Sequence, residues 1–251
     1  HDQALAKAYR TEFEEMWGSD AAQPEPLNSR FGAAKRNNTP HQFIIGGIPV
    51  ESYFSPSDQT TSRITETIGT SNSEALFAMF SFTKDEQANA LVEAHDNGSK
   101  VRGMMENIND PSSEFNYLLS QGVNILHHSA SGDLHHKYCV IDADAPNSAP
   151  VVITGSHNWS FSAETANDEN TLIIRDADIS TLYKSEFERR WAENTVSTTL
   201  PVFQQVRAFP NPVSDILTLQ IEPSAGSFIW VKNVLGETVL QTAGASSLNV
   251  G

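Results

Sequence analysis

His135 and Lys137 stand two residues apart in the run Leu-His-His-Lys-Tyr-Cys-Val-Ile-Asp that spans 134–142. Positions two apart on a strand point to the same face, so an imidazole and an ammonium are expected side by side. That is a poor place for a cation and a good one for a phosphoryl group, whose charge the lysine balances. Further on, Gly155-Ser156-His157-Asn158 follows an apolar stretch. Ser156 brings a hydroxyl and a backbone N–H, and Asn158 brings an amide donor. An imidazole can attack phosphorus while such donors stabilise charge on the equatorial oxygens. Glu169, in Asn-Asp-Glu-Asn, is a carboxylate able to accept from the far ring nitrogen and fix its tautomer.

The pattern His-x-Lys-x4-Asp, followed by Gly-Ser-x-Asn, resembles the HKD signature of the phospholipase D superfamily. His135, Lys137 and Asp142 match its three named residues, and Gly155, Ser156 and Asn158 match the segment that follows. Glu169 resembles the carboxylate that orients the histidine in the small bacterial endonuclease branch. The stretch between Asp142 and Gly155 is longer than in that branch, and 144–150 reads as a lengthened hairpin turn. The resemblance covers roughly residues 47–191. It implies His135, Lys137, Asn158, Glu169 and Asp142 as catalytic residues, Asp142 being more structural than chemical. Ser156, Lys137 and Asn158 would hold the substrate. It implies that His135 forms a phosphohistidine, that a second HKD histidine protonates the leaving alcohol, and that neither metal nor cofactor is needed.

One HKD is half a site, and a repeat indicates where the other half belongs. Tyr-Arg-Thr-Glu-Phe-Glu-Glu-Met-Trp from Tyr9 to Trp17 shares its Tyr, Glu, Phe, Glu and Trp with Tyr-Lys-Ser-Glu-Phe-Glu-Arg-Arg-Trp from Tyr183 to Trp191. Both place aromatic rings at i, i+4 and i+8, the spacing of one helical face. We therefore expect 1–18 to be the terminal helix of a preceding HKD repeat, 19–44 a linker, and 45–194 the HKD domain. The chain would then be part of a longer protein, with its second half in cis upstream. The alternative is a symmetric homodimer.

The elements that must position these groups alternate. Apolar runs at 75–82, 101–105 and 123–127 read as strands, and 62–68, 84–96 and 113–120 as helices. Leu134 to Ile141, Val151 to Thr154 and Thr171 to Arg175 read as strands without long helices between them, closed by a helix at 178–192. The fold class expected is α/β, a mixed β-sheet flanked by helices, followed by a partial all-β sandwich. Residues 195–208 read as a second linker. From Phe209, a Pro-Asn-Pro-Val-Ser-Asp opening and an Asn-Val-Leu-Gly-Glu turn resemble the C-terminal sorting domain of type IX secretion substrates. That resemblance covers 209–251. It implies export by the type IX secretion machinery of a Gram-negative bacterium, to the medium or the cell surface.

Lys and Arg number 16 against 31 Asp and Glu, a formal charge of −15. Such a surface repels polyanions at long range, so a phosphate substrate needs a local cationic site. Cys139 is the only cysteine, which leaves no disulfide within the chain. Cys139 and Trp159 are expected in the core and His136 on the opposite strand face. His127 and His128 are expected to be exposed or packed, and His157 to face substrate or solvent. Glu106 and Asp110 read as solvated acids, and Glu164 as either an orienting group or an exposed one. The substrate stays open between nucleic acid and phospholipid. A non-catalytic surface protein on an HKD scaffold is the alternative from another class.

Overall fold

The computed structural model describes residues 2–145, 148–195, and the strands at 207–209, 216–220, 228–232, 238–243 and 247–249. The chain divides into two compact units, His1–Val196 and Ser197–Gly251.

In the first unit the elements run α1 (Gln3–Trp17), β1 (Gln42–Ile45), β2 (Ile48–Ser55), α2 (Thr60–Ile68), β3 (Glu74–Met79), α3 (Asp85–Asp96), β4 (Lys100–Met105), α4 (Phe115–Ser120), β5 (Asn124–His127), β6 (Lys137–Ile141), β7 (Val151–Gly155), α5 (Phe161–Thr165), β8 (Glu169–Ile174) and α6 (Ala177–Thr195). The eight strands form one sheet in the order β1-β2-β8-β7-β6-β3-β4-β5. Only β3-β4 and β4-β5 pair in parallel; every other pair is antiparallel. The α/β front and strand-rich back expected from the sequence thus merge into one mixed sheet with helices on both faces.

Side-chain alternation builds two cores. Phe77, Met79, Cys139, Ile141, Ile153 and Ile173 share one face, packed with Ile64, Ile68 and Leu91 of α2 and α3. Leu76, Ala78, Tyr138, Val140 and Val152 share the other, packed with Phe187 of α6. Gly103 lies opposite Phe77 in the ladder, and a Cβ there would come within 2.0 Å of the Phe77 ring. This glycine is what lets the ring lie flat on the parallel strand.

Strand β1 begins at Gln42, three residues before the expected start of the domain at 45, and residues 2–41 belong to the same compact unit as the sheet. Helix α1 is capped by Asp2, which accepts from Leu5 N–H at 2.8 Å, and ends at Gly18 with φ 83°. Its Leu5 and Ala8 pack with Phe43, Val50, Leu172 and Ile174 of β1, β2 and β8. The expected linker is pinned as well: Lys35 is 8 % exposed, and Gly32 N–H donates to Asp168.

The repeat also appears in the packing. Phe13 stacks on Trp17 at 5.5 Å, as Phe187 does on Trp191 at 5.5 Å. Tyr9 meets Phe54 edge-on at 4.9 Å, as Tyr183 meets Tyr138 at 5.2 Å. The two helices differ at their central ring: Phe187 is fully buried, while Phe13 is 54 % exposed.

The described strands of the second unit are β9 (Arg207–Phe209), β10 (Ile216–Gln220), β11 (Phe228–Lys232), β12 (Thr238–Ala243) and β13 (Ser247–Asn249). They form two small antiparallel sheets, β13-β10-β9 and β11-β12. The Pro-Asn-Pro-Val-Ser-Asp segment and the 233–237 turn lie outside the described residues.

Candidate active site

The site gathers where β3 and β4 end and β6 and β8 begin. In parallel sheets ligands collect beyond the carboxyl ends of the strands. His135 is not within a strand, as expected, but precedes β6, whose first residue is Lys137. A short tether holds it there. Phe80 N–H donates to the His136 carbonyl at 2.8 Å. Glu106, at the end of β4, accepts from Leu134 N–H at 2.8 Å and lies 2.9 Å from His128 Nδ1. Glu106 is therefore not a free solvated acid. It and the buried His128 fix the segment that delivers His135. Asp110 is bonded too, accepting from the Ser81 hydroxyl at 2.7 Å.

Lys137 Nζ lies 3.4 Å from both ring nitrogens of His135. The same ammonium stands 5.0 Å from the centre of the Phe80 ring, which tilts against the imidazole at 4.5 Å. Phe80 is a site residue that the sequence reading missed. Its signal was its place one residue past an apolar strand that ends beside a catalytic candidate. Partial burial pulls Lys137 below the ordinary lysine range, and the nearby Glu169 carboxylate opposes that shift.

Gly155 is the hinge of the donor loop. Its φ is 154°, and a Cβ there would meet the Asn170 carbonyl at 2.1 Å. The close approach lets Ser156 N–H donate to Asn170 O at 3.0 Å. Ser156 Oγ accepts from Asn170 N–H at 3.0 Å and from Asn170 Nδ2 at 3.2 Å. With two bonds accepted, the hydroxyl keeps its own hydrogen for another partner. Asn158 keeps a buried side-chain oxygen with no hydrogen-bond partner among the described residues. Its amide N–H groups are the donors such a side chain can offer a ligand.

The structure places three further residues, agreeing with the structural reading of Asp142 and correcting that of His157. Glu169 does not reach His135 among the described residues; its Oε1 is 3.4 Å from Asn167 Nδ2, and its charge acts on Lys137. Asp142 lies at the far end of β6 from Lys137, on the order of 16 Å away at the rise of a strand. There its buried carboxylate accepts from the backbone N–H groups of Asn72, Ser73 and Glu74. It locks a turn and touches no part of the site. His157 faces neither substrate nor solvent: it is 3 % exposed, with Nε2 3.5 Å from Glu164. Glu164 proves to be an orienting group. Its carboxylate accepts from Thr61 N–H and Oγ at 2.8 and 2.7 Å. Burial pushes Glu164 up, but His157 and Thr61 outweigh it and hold the carboxyl below its usual range.

The expectations for His136, Trp159 and Cys139 match. His136 turns to the opposite face, 3.2 Å from Glu186. Trp159 and Cys139 are buried, and burial pushes the thiol up.

An eight-stranded mixed sheet with a His-Lys pair at one end and an Asn-bearing loop beside it defines a phospholipase D-like α/β domain. Residues 64–191, half of the chain, match the family described as cardiolipin synthase, PLD-like domain, and the chain belongs to that family. The mitochondrial cardiolipin hydrolase of Xenopus laevis is 38 % identical over 122 residues, 48 % of this chain and 55 % of that protein. The mouse mitochondrial cardiolipin hydrolase is 30 % identical over 141 residues, 55 % of this chain and 60 % of that protein. The chain thus spans little more than half the length of these relatives. Nuc from Salmonella typhimurium, a phospholipase D family member, shares the fold with a TM-score of 0.51 at 23 % identity. The match covers 57 % of this chain and 94 % of Nuc.

Proposed function

We propose that this protein hydrolyses phosphodiesters through a covalent phosphohistidine on His135. The observation that carries the reading is the ammonium of Lys137 held against the His135 ring. A diester phosphate arriving there meets a nucleophilic nitrogen and a positive charge together. The His135 nitrogen attacks phosphorus, and a P–N bond forms as the P–O bond to the leaving alcohol breaks. The departing oxygen takes a proton from the histidine of a second HKD half, supplied in cis upstream or by a homodimer. Water, deprotonated by that same group, then displaces His135 and releases the phosphomonoester. Lys137 and the Asn158 amide stabilise charge on the non-bridging oxygens throughout, so the reading assigns no metal or cofactor.

Phospholipid is the first substrate class to assay. The relatives at 38 % and 30 % identity are named cardiolipin hydrolases. The test uses full-length protein in chelator, offered cardiolipin or phosphatidylcholine vesicles and, separately, single-stranded DNA or RNA. Cleavage that survives chelator and vanishes in His135→Ala is expected. Activity that needs a divalent ion, or persists in His135→Ala, would overturn the mechanism.

We further read 209–251 as an export module for type IX secretion, which puts the protein outside a Gram-negative cell. The pattern at 209–219 and the antiparallel strands β9 to β13 support this. Deleting 209–251 should leave the protein in the periplasm, and unchanged secretion would count against it.

A further inference from the structure

Strand β8 opens with two residues that bear on the site: Glu169, whose charge acts on Lys137, and Asn170, which holds Ser156 at the start of the donor loop. Helix α1 reaches this strand opening through two side chains. The Tyr9 hydroxyl donates to Asn170 Oδ1 at 3.3 Å, and the Asn170 amide in turn donates to Ser156 Oγ. One turn along α1, Glu12 pairs with Lys35, whose ammonium also lies 3.5 Å from Asp168 Oδ1. The Lys35 and Glu12 side chains are only 1 % and 6 % exposed. Asp168 is fixed from another side by Gly32 N–H at 2.7 Å.

A buried ion pair is poor evidence of stabilisation, since its desolvation offsets its attraction. It is good evidence of a fixed geometry. Here that geometry joins residues 9, 12 and 35 to Asp168 and Asn170, the two positions that flank Glu169. We infer that α1 and Lys35 form a brace for the active site, with Tyr9, Glu12 and Lys35 as positioning residues. Tyr9 sets the corner from which the loop carries Asn158, and the Glu12–Lys35–Asp168 cluster sets the position of Glu169. The repeat adds to this. Tyr183, the counterpart of Tyr9, donates to Thr154 Oγ1 at 3.2 Å, on β7 next to Gly155, while Tyr9 donates to Asn170 on the neighbouring β8, so the two copies of the helical motif hold the two strands that flank the donor loop.

The inference rests on the phosphodiesterase reading, and the experiment separates the two. Full-length Tyr9→Phe keeps the edge-on ring against Phe54 and loses only the hydroxyl. We expect kcat to fall about tenfold with KM within twofold, the cost of a small misplacement of catalytic groups, at an unchanged melting temperature. Because Lys35→Met alone strands Glu12 and can unfold the protein, the paired variant Glu12→Leu/Lys35→Met removes both charges together. It should likewise fold and lose kcat. Amide hydrogen exchange gives a readout independent of turnover: in Tyr9→Phe it should rise at 156–158 and 169–170 and nowhere else. Wild-type kcat and wild-type exchange in both variants would overturn the brace. A wild type without activity, or an active His135→Ala, would instead defeat the phosphodiesterase reading, leaving the exchange pattern to decide the brace.

Discussion

Lys137 Nζ stands equidistant from the two ring nitrogens of His135, at 3.4 Å, with the Phe80 ring beneath both groups. The contact makes Lys137 the local cation that an otherwise acidic chain needs in order to hold a phosphate. Partial burial depresses its pKa, with Glu169 opposing. The ammonium is therefore lost at a lower pH than in a free lysine, near 10.4.

The alkaline limb of kcat/KM should accordingly fall below that value. Lys137→Met should lose about 10²–10³-fold, as expected for one oxyanion partner. Lys137→Arg, whose guanidinium stays charged, should move the limb upward at reduced kcat, because a planar fork does not fit a point-charge position. Rate profiles between about pH 6 and 11 decide it. Coincident limbs for wild type and Lys137→Arg would show that another group titrates.

Asp142 should behave as a fold residue. Its carboxylate accepts three backbone N–H groups from a position at φ 54°, which Asn tolerates better than Ala. Asp142→Ala should cost about 2–4 kcal/mol and Asp142→Asn about half of that. Both should keep wild-type kcat below their melting transitions. Urea denaturation alongside kinetics checks it, and a loss of kcat in folded Asp142→Asn would return Asp142 to the chemistry.

The strands that hold the site were legible because buried strands leave short apolar runs. Those at 75–82, 101–105 and 123–127 correspond to β3, β4 and β5, with ends shifted by a few residues. His135 with Lys137 was legible from residue type and spacing, although the strand period was not the reason: His135 precedes β6, and the contacts of Phe80 and Glu106 hold its segment in place. What the sequence concealed was long-range. Nothing near Glu106 in the chain announces that it will accept from Leu134, and nothing near Lys35 announces Glu12 and Asp168. The segment 19–44 reads as a linker because its composition is that of one, yet its last residues open strand β1 and the rest is pinned by single contacts that leave no periodic trace. The structure shows no hydrogen bond from Glu169 to His135 for the same reason: a residue type and a motif place a carboxylate near the site but do not aim it.

Gly155 should tolerate no side chain. In Gly155→Ala the added methyl overlaps the Asn170 carbonyl, which is backbone and cannot swing away. The Ser156–Asn170 bonds must then stretch. Both stability and kcat should fall, stability by about 1–3 kcal/mol as for overpacking. Gly103→Ala drives a methyl into the Phe77 ring instead. It should lose similar stability yet keep kcat in the folded fraction. Melting curves and kinetics on both variants compare a strained site with a strained core, and equal losses of kcat would deny the donor loop its special role.

Glu114 predicts a pH dependence of stability unconnected with catalysis. Burial, then the neighbouring Asp85 and Glu86 at the N-terminus of α3, push its carboxyl up to about 7. The unfolded value is the ordinary 4.5, so between the two the native state holds a proton that the unfolded state has lost. Stability from this group is fully present below about pH 4.5, declines as pH rises, and is gone above about pH 7. Glu114→Gln keeps a neutral side chain at every pH. It should unfold like wild type at pH 4 and be more stable at pH 8, by on the order of 1–3 kcal/mol. Urea denaturation at the two pH values tests this. A difference between variant and wild type that stays constant with pH would mean that Glu114 ionises normally in the native state and that Asp85 and Glu86 lie too far away to matter.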